Sequence, residues 1–273
     1  MERLKRTEKN TLTERVLQFG EGNFLRGFVD WMIDKLNKEN GGDYGVTIVQ
    51  PLAGGLVDKL NAQDGRYSLY LRGLLKGEKD EETRIVDCVT RGINPYTNTD
   101  EFFDCAKNPD LRFIVSNTTE AGIEYKPNQN PDDFNGLTFP GRLTLFMKKR
   151  FDEGLGGFIL LPCELIDKNG DNLKECLLKY SVDWGYGDEF EKWIETENHF
   201  TNTLVDRIVT GYPRDNAKEM EQSYGYLDDI LDTYAEFEKL SRTVKIMDTV
   251  RLMKKVVPEF KSKNSPRFEV LDK

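Results

Sequence analysis

The chain has 273 residues, 38% hydrophobic and 11% aromatic, which is enough to bury the core of one large α/β domain, or of a domain with a small appendage, and excludes global disorder. Its 48 acidic residues outnumber 39 basic ones for a net charge of −9, and an acidic surface repels nucleic-acid phosphates, so no nucleic-acid partner is expected. That balance leaves anionic small molecules open, because a local basic pocket overrides net charge.

No apolar run is long enough to cross a bilayer, and residues 1–10 are charged and polar where a signal peptide has an apolar centre. No membrane contact and a cytoplasmic location are therefore expected. Cys88, Cys105, Cys163 and Cys176 form no Cys-x-x-Cys pair and read as reduced, mostly buried thiols. The single histidine, His199, rules out a site that needs two imidazoles from one chain, and no metal is expected.

In chain order, residues 15–19 are a short buried strand ending at Gly20. Apolar positions at Phe24, Phe28, Trp31, Met32 and Leu36 then lie on one helical stripe that stops near Asn40-Gly41-Gly42. Residues 46–49 are β-branched and form a second strand. Residues 68–74 and 84–89 alternate and are expected as strands, a possible pair; residues 100–107 are a helix and 111–116 a buried strand. A loop rich in Asn, Asp and Pro covers 127–139, followed by a helix over 140–152, a strand over 157–162, then Asn169-Gly170 and a helix through Tyr180. Residues 189–208 are expected helical, and Gly211-Tyr212-Pro213 stops them; 217–257 are charged and mostly helical with no obvious strand, and 258–273 are polar. Strands alternating with helices predict a doubly wound, mostly parallel α/β sheet with a short helical C-terminal extension. The expected division is 1–215 for this domain and 216–273 for the extension and tail.

The first strand, glycine turn and helix have the chemistry of a dinucleotide site. One glycine permits a tight turn, a second lets backbone amides approach a pyrophosphate, and the helix start adds free donors with partial positive charge. Two features depart from the usual pattern: the third glycine is due at position 25, where Leu25 stands with Gly27 two residues later, and Gln50 follows the second strand in place of an acid. A turn that merely joins strand to helix fits the spacing equally well.

Beyond spacing, residues 18–31, Gln-Phe-Gly-Glu-Gly-Asn-Phe-Leu-Arg-Gly-Phe-Val-Asp-Trp, resemble the opening of the tagaturonate reductases, also called altronate oxidoreductases, a branch of the mannitol dehydrogenase family. Ser-Asn-Thr-Thr-Glu-Ala-Gly-Ile at 116–123, Pro-Cys-Glu-Leu-Ile-Asp-Lys-Asn-Gly at 162–170 and Asn-Thr-Leu-Val-Asp-Arg-Ile-Val at 202–209 resemble further family motifs in the family's order. The resemblance runs over roughly residues 14–235 and implies a Rossmann-like domain that binds NAD. The implied reaction is reduction of D-tagaturonate to D-altronate by NADH. It implies cofactor contacts from Phe19, Gly20, Glu21, Gly22, Asn23, Phe24, Arg26, Gln50, Asn117 and Thr118, and a substrate cleft lined by Glu164, Asn169 and Asp206. Each motif has a plainer alternative: Asn117 and Thr118 as turn residues, Glu164 as an acceptor for backbone amides, and Asp206 with Arg207 as a structural ion pair.

The family's catalytic signature is a lysine, an asparagine five residues on and a histidine three beyond that. Aligned on His199, those positions hold Glu191 and Thr196, so the signature is absent from these 273 residues and no catalytic residue is assigned. From about Glu236 the tail no longer follows the family. The sequence thus leads to the expectation of a shortened reductase, weakly active or inactive by itself. A non-catalytic dinucleotide-binding module is the alternative, and a homodimer or a partner that supplies the missing half is possible in either case.

Overall fold

The structure is a computed structural model that describes residues 1–75, 78–119, 121–205 and 209–236. Six strands form the main sheet: β1 (Glu14–Phe19), β2 (Gly45–Val49), β5 (Val89–Ile93), β6 (Phe113–Ser116), β7 (Ile159–Pro162) and β8 (His199–Phe200). Their order is β5-β2-β1-β6-β7-β8 and every pairing is parallel. Counted within this sheet the order is 3-2-1-4-5-6, the doubly wound arrangement whose switch point lies between β1 and β6.

Parallel strands buried on both faces carry apolar side chains on both, and successive residues point to opposite sides. Phe113 and Val115 of β6 enter one core, whereas Ile114 enters the other; Ile159 and Leu161 of β7 are likewise separated from Leu160. The first core is covered by a continuous helical run, α1 (Asn23–Leu25), a π-helical turn (Arg26–Asp30) and α2 (Trp31–Asn40), together with α3 (Val57–Ala62). The second is covered by α4 (Thr99–Cys105), α5 (Phe139–Asp152), α6 (Asn169–Asp183) and α7 (Asp188–Glu197). All four cysteines are buried and free.

Beside the main sheet stands a three-stranded one, order β4-β3-β9. β3 (Tyr67–Leu75) pairs antiparallel with β4 (Glu78–Val86) and parallel with β9 (Asp232–Glu236). Two expectations change here. The strand expected over 84–89 is broken at Asp87 and Cys88, because the chain turns a corner between sheets. Asp34 holds that corner, accepting from the Asp87 amide at 2.9 Å and from Arg84 Nε at 2.6 Å. The expectation of no strand after Ala217 is corrected by β9, which follows α8 (Ala217–Tyr224). Asp228 seats this segment by accepting from the Ser68 amide at 2.5 Å and Gln63 Nε2 at 2.9 Å. Tertiary hydrogen bonds, and no apolar alternation, select that strand.

The helix expected over 189–208 ends at Glu197. Asn198 is extended; its Nδ2 donates to the Trp193 carbonyl at 2.9 Å while its Oδ1 accepts from the Phe158 backbone amide at 2.8 Å, which carries the chain into β8. The expected helix residues 206–208 and 237–257, and the tail, lie outside the described residues.

Candidate functional site

The carboxyl ends of β1, β2, β6 and β7 meet around the switch point, where open α/β sheets bind ligands. At the end of β1 the Gly20 amide donates to the Val49 carbonyl at 3.0 Å. Gly20 has φ +127°, and a Cβ there would stand 3.0 Å from the Asn117 carbonyl oxygen and 3.2 Å from Leu25 Cδ1, so only glycine makes this turn without strain. Gly22 caps the helical run with φ −66° and ψ 162°, and a Cβ on it would meet nothing within 4 Å. Asn23 and Phe24 begin the helix half-buried, and Phe24 packs on Phe28 with ring centroids 5.4 Å apart. Phe19 is buried in the second core against Phe102 and Phe139.

Leu25, at the position of the usual third glycine, is buried against Gly20. Gly27 packs elsewhere: a Cβ on it would press on Val209 Cγ1 at 3.2 Å and approach Asp232 Oδ2 at 3.6 Å. Arg26 is buried and turned inward, so it offers the groove no side-chain surface. Nε donates to the Glu21 carbonyl at 3.0 Å, Nη2 to Asn23 Oδ1 at 2.6 Å and Nη1 to the Ile230 carbonyl at 2.6 Å.

Gln50, at the tip of β2, is also committed. Its amide donates to Leu52 and Ala53 carbonyls at 2.8 and 3.1 Å, and its oxygen accepts from the Val57 amide at 3.3 Å. The fold brings the Glu21 carboxyl beside it: a Cβ on Gly55 would clash with Glu21 Oε1 and stand 2.6 Å from Gln50 Oε1. Glu21 Oε2 is buried with no hydrogen-bond partner among the described residues, and burial pushes the carboxyl pKa up, against the opposing pull of backbone amides and Arg26. Gly55 had one sequence signal, the Gly54-Gly55 pair soon after β2, whose meaning depends on what packs over it.

On the other side of the switch point Glu164 joins two strand ends. Its carboxylate accepts from Ser116 Oγ at 3.1 Å and from the amide and hydroxyl of Thr118, both at 3.0 Å. Burial raises its pKa, and these bonds offset part of the rise. Asn117 donates from Nδ2 to the Cys163 carbonyl at 2.7 Å. Asn169, expected to line a cleft, is wholly buried. Its Nδ2 reaches the Pro162, Glu164 and Thr203 carbonyls at 3.0, 3.0 and 3.1 Å, and its Oδ1 accepts from the Gly170 and Thr203 amides, both at 2.9 Å. Its role is to lock the segments after β7 and β8 together, because a buried amide saturated on protein groups has no donor left for a ligand. Asp206 lies outside the described residues. His199, on the edge strand β8, is exposed.

Gln18, Asp30 and Tyr67 form a further buried cluster behind the turn, which the sequence did not single out. Tyr67 OH donates to the Arg26 carbonyl at 2.8 Å and to Asp30 Oδ2 at 3.1 Å, and Gln18 Nε2 donates to the Gly20 carbonyl at 3.1 Å. The open face at Gly22, the helix start and the unpartnered oxygen of Glu21 near the tip of β2 together suit a ligand with linked phosphates and a ribose.

Residues 14–246 match the family described as the mannitol dehydrogenase Rossmann domain. Altronate oxidoreductases of Cronobacter sakazakii and Shigella flexneri are each 46% identical over 229 residues, covering 82% of this chain and 47% of theirs. The chain therefore spans about half the length of these curated relatives. Among solved structures, a D-sorbitol dehydrogenase in substrate-free form matches with a TM-score of 0.72 and 20% identity, over 86% of this chain and 51% of that one. A Pseudomonas fluorescens mannitol 2-dehydrogenase, solved as a ternary complex with NAD and D-mannitol, also has a TM-score of 0.72 and 20% identity, over 85% and 50%. At that identity the two structures speak for the fold. The sheet order, the glycine turn at its carboxyl edge and the match over 14–246 lead to one conclusion: this chain belongs to the mannitol dehydrogenase family through its Rossmann domain.

Proposed function

We propose that this chain is the NAD(H)-binding part of an oxidoreductase of altronate oxidoreductase type, acting on D-tagaturonate and D-altronate, and that alone it turns over weakly or not at all. The observation that carries the reading is the glycine turn, with Gly20 at φ +127° and an open face at Gly22, set at the switch point of a 3-2-1-4-5-6 sheet. In this reading NADH supplies the hydride. The turn and the helix start hold its pyrophosphate, and Glu21 accepts from a ribose hydroxyl. Glu164 keeps Ser116 and Thr118 aligned along the edge beside the nicotinamide. Residues 1–215 are taken as the dinucleotide-binding domain and 216 onward as an extension, in a cytoplasmic protein.

Weak turnover follows from chemistry. Reducing a ketone needs a proton donor placed opposite the hydride, a contribution of ~10²–10⁴-fold. The family's Lys-x₄-Asn-x₂-His signature is absent from these 273 residues. Titration with NADH, followed through tryptophan fluorescence, tests binding, and an assay with tagaturonate tests turnover. Saturation with NADH at a hundred times its dissociation constant should stabilise the fold by about 2.7 kcal/mol in a thermal melt. No shift with either redox form would overturn the binding assignment, and robust reduction by the purified chain would overturn the weak-turnover one.

One observation favours a second reading, in which a partner completes the site. Leu52, Leu165 and Leu204 follow the ends of β2, β7 and β8 and are 67%, 64% and 80% exposed, an apolar rim on the carboxyl edge. Activity would then emerge only in a mixed complex, and size-exclusion chromatography with and without the partner distinguishes the two.

A further inference from the structure

Arg26 stands directly behind the glycine turn and is 2% exposed. A buried guanidinium is tolerated only when its charge and its donors are met. Here the charge faces Asp232 at 3.9 Å, the plane lies over the Tyr67 ring 5.0 Å from its centroid, and the donors reach Glu21, Asn23 and Ile230.

Where the Nε bond lands gives this cation a consequence beyond packing. It holds the Glu21 carbonyl, at 3.0 Å, and that carbonyl shares a peptide unit with the Gly22 N–H. A trans peptide is planar, so the two groups point in opposite directions. Drawing the carbonyl in toward Arg26 turns the Gly22 amide away from the protein interior. Gly22 caps the helical run and has open space where a side chain would be, the place where helix donors lack partners within the chain.

The far end of the fork is fixed by residues more than two hundred positions away. The Ile230 carbonyl and Asp232 are seated on β3 by β9 pairing and by Asp228, which accepts from Ser68 and Gln63. We propose that Arg26 is a positioning residue for dinucleotide binding: a strut, clamped by residues 230–232 of the second sheet, that sets the 21–22 peptide so that the Gly22 amide faces the pyrophosphate. This rests on the turn being the pyrophosphate site, as proposed above. Lysine cannot replace it, since one ammonium does not span acceptors that a planar fork meets in separate directions.

The test uses Arg26→Lys in the full chain, with NADH titrated by fluorescence, melting followed by circular dichroism, and amide shifts read by ¹⁵N NMR. A charge-assisted bond to the turn is worth enough that NADH affinity should fall about tenfold or more in the folded variant. Its Gly22 amide should no longer respond to NADH. In the wild type the Gly22 amide and the Arg26 Nε–H resonance should both move on NADH addition, while the Gly41 amide at the far end of the helix stays put. This second measurement decides the matter even if the lysine variant does not fold. A folded Arg26→Lys chain that binds NADH like the wild type overturns the strut, as does a wild type that binds NADH with Gly22 and Arg26 unmoved. A wild type that binds no NADH at all instead refutes the dinucleotide assignment itself, and the strut with it.

Discussion

Asp30 lies in the π-helical turn, wholly buried, with Tyr67 OH at 3.1 Å and Gln18 Nε2 at 3.4 Å on Oδ2 and, among the described residues, no partner on Oδ1. Burial pushes its pKa up to about 7, against the pull of Tyr67, Arg26 and Gln18 and with a small push from Asp34. A carboxyl that binds its proton more tightly when folded stabilises the fold fully below its unfolded pKa of ~3.9, and that contribution is lost as pH rises through its folded pKa. From this group alone, wild-type stability should fall by up to ~1.4 kcal/mol per pH unit across that window. Asp30→Asn removes the slope. Urea unfolding at several pH values between 4 and 8 measures it, and parallel profiles for the two proteins would contradict the assignment. At the same scale, Asn169→Ala strips the Thr203 carbonyl and the Thr203 amide of their side-chain partner. Leaving such buried groups unmet costs ~1–3 kcal/mol, so the urea midpoint should drop clearly. A midpoint that hardly moves would mean Asn169 is not the lock between the segments after β7 and β8.

Among the elements, the helical run from Asn23 to Asn40 depends on how the chain enters it. Gly20→Ala would need φ +127° from an L-residue and would press a methyl carbon to 3.0 Å from the Asn117 carbonyl. Such strain costs of order 1–3 kcal/mol. Because the same turn carries the proposed pyrophosphate site, NADH binding should weaken in the portion of the variant that folds. Binding and stability both at wild-type values would refute this account of the turn. Four strands of the main sheet were legible because parallel strands buried on both faces are nearly continuous apolar runs, as in Phe-Ile-Val at 113–115 and Ile-Leu-Leu at 159–161, whereas β5, Val-Thr-Arg-Gly-Ile at 89–93, is interrupted by Arg91 and Gly92 and was not foreseen. β8 was not legible, since two residues, His199 and Phe200, carry no period, and Asn198 rather than any helix breaker ends α7.

For the molecule as a whole, the second sheet is the feature that ties distant parts together. β9 reaches β3 and, through Ile230 and Asp232, the back of the glycine turn. Weakening the hook at Asp228, as in Asp228→Ala, takes the side-chain acceptor from the Ser68 and Ile230 amides, leaves Gln63 Nε2 with the Arg66 carbonyl alone, and should loosen β9. Hydrogen exchange should then speed up in residues 230–236 and, through Arg26, in the turn at 21–22. Faster exchange in β9 with an unchanged turn would mean that the two are not coupled. The exposed leucines on the carboxyl edge are not covered by β9, which pairs with β3 of the other sheet.

The sequence alone determined the fold class, a doubly wound parallel sheet, because it is written locally: strand runs, a helical stripe and four ordered motifs. It also determined that the family's Lys-Asn-His signature is absent, a plain matter of residue identity. Tertiary structure decided what each polar side chain does. Arg26, Gln50 and Asn169 look like ligand contacts in one dimension, but their donors are taken up by protein groups, for Gln50 the nearby Leu52 and Ala53 carbonyls, for Arg26 and Asn169 also the distant Ile230 and Thr203 carbonyls. Glu21 stands beside Gln50 only once β1 and β2 are paired, and β9 exists only because β3 offers it an edge. Hydrogen-bond partners far apart in sequence leave no period to read, so the fold had to supply them.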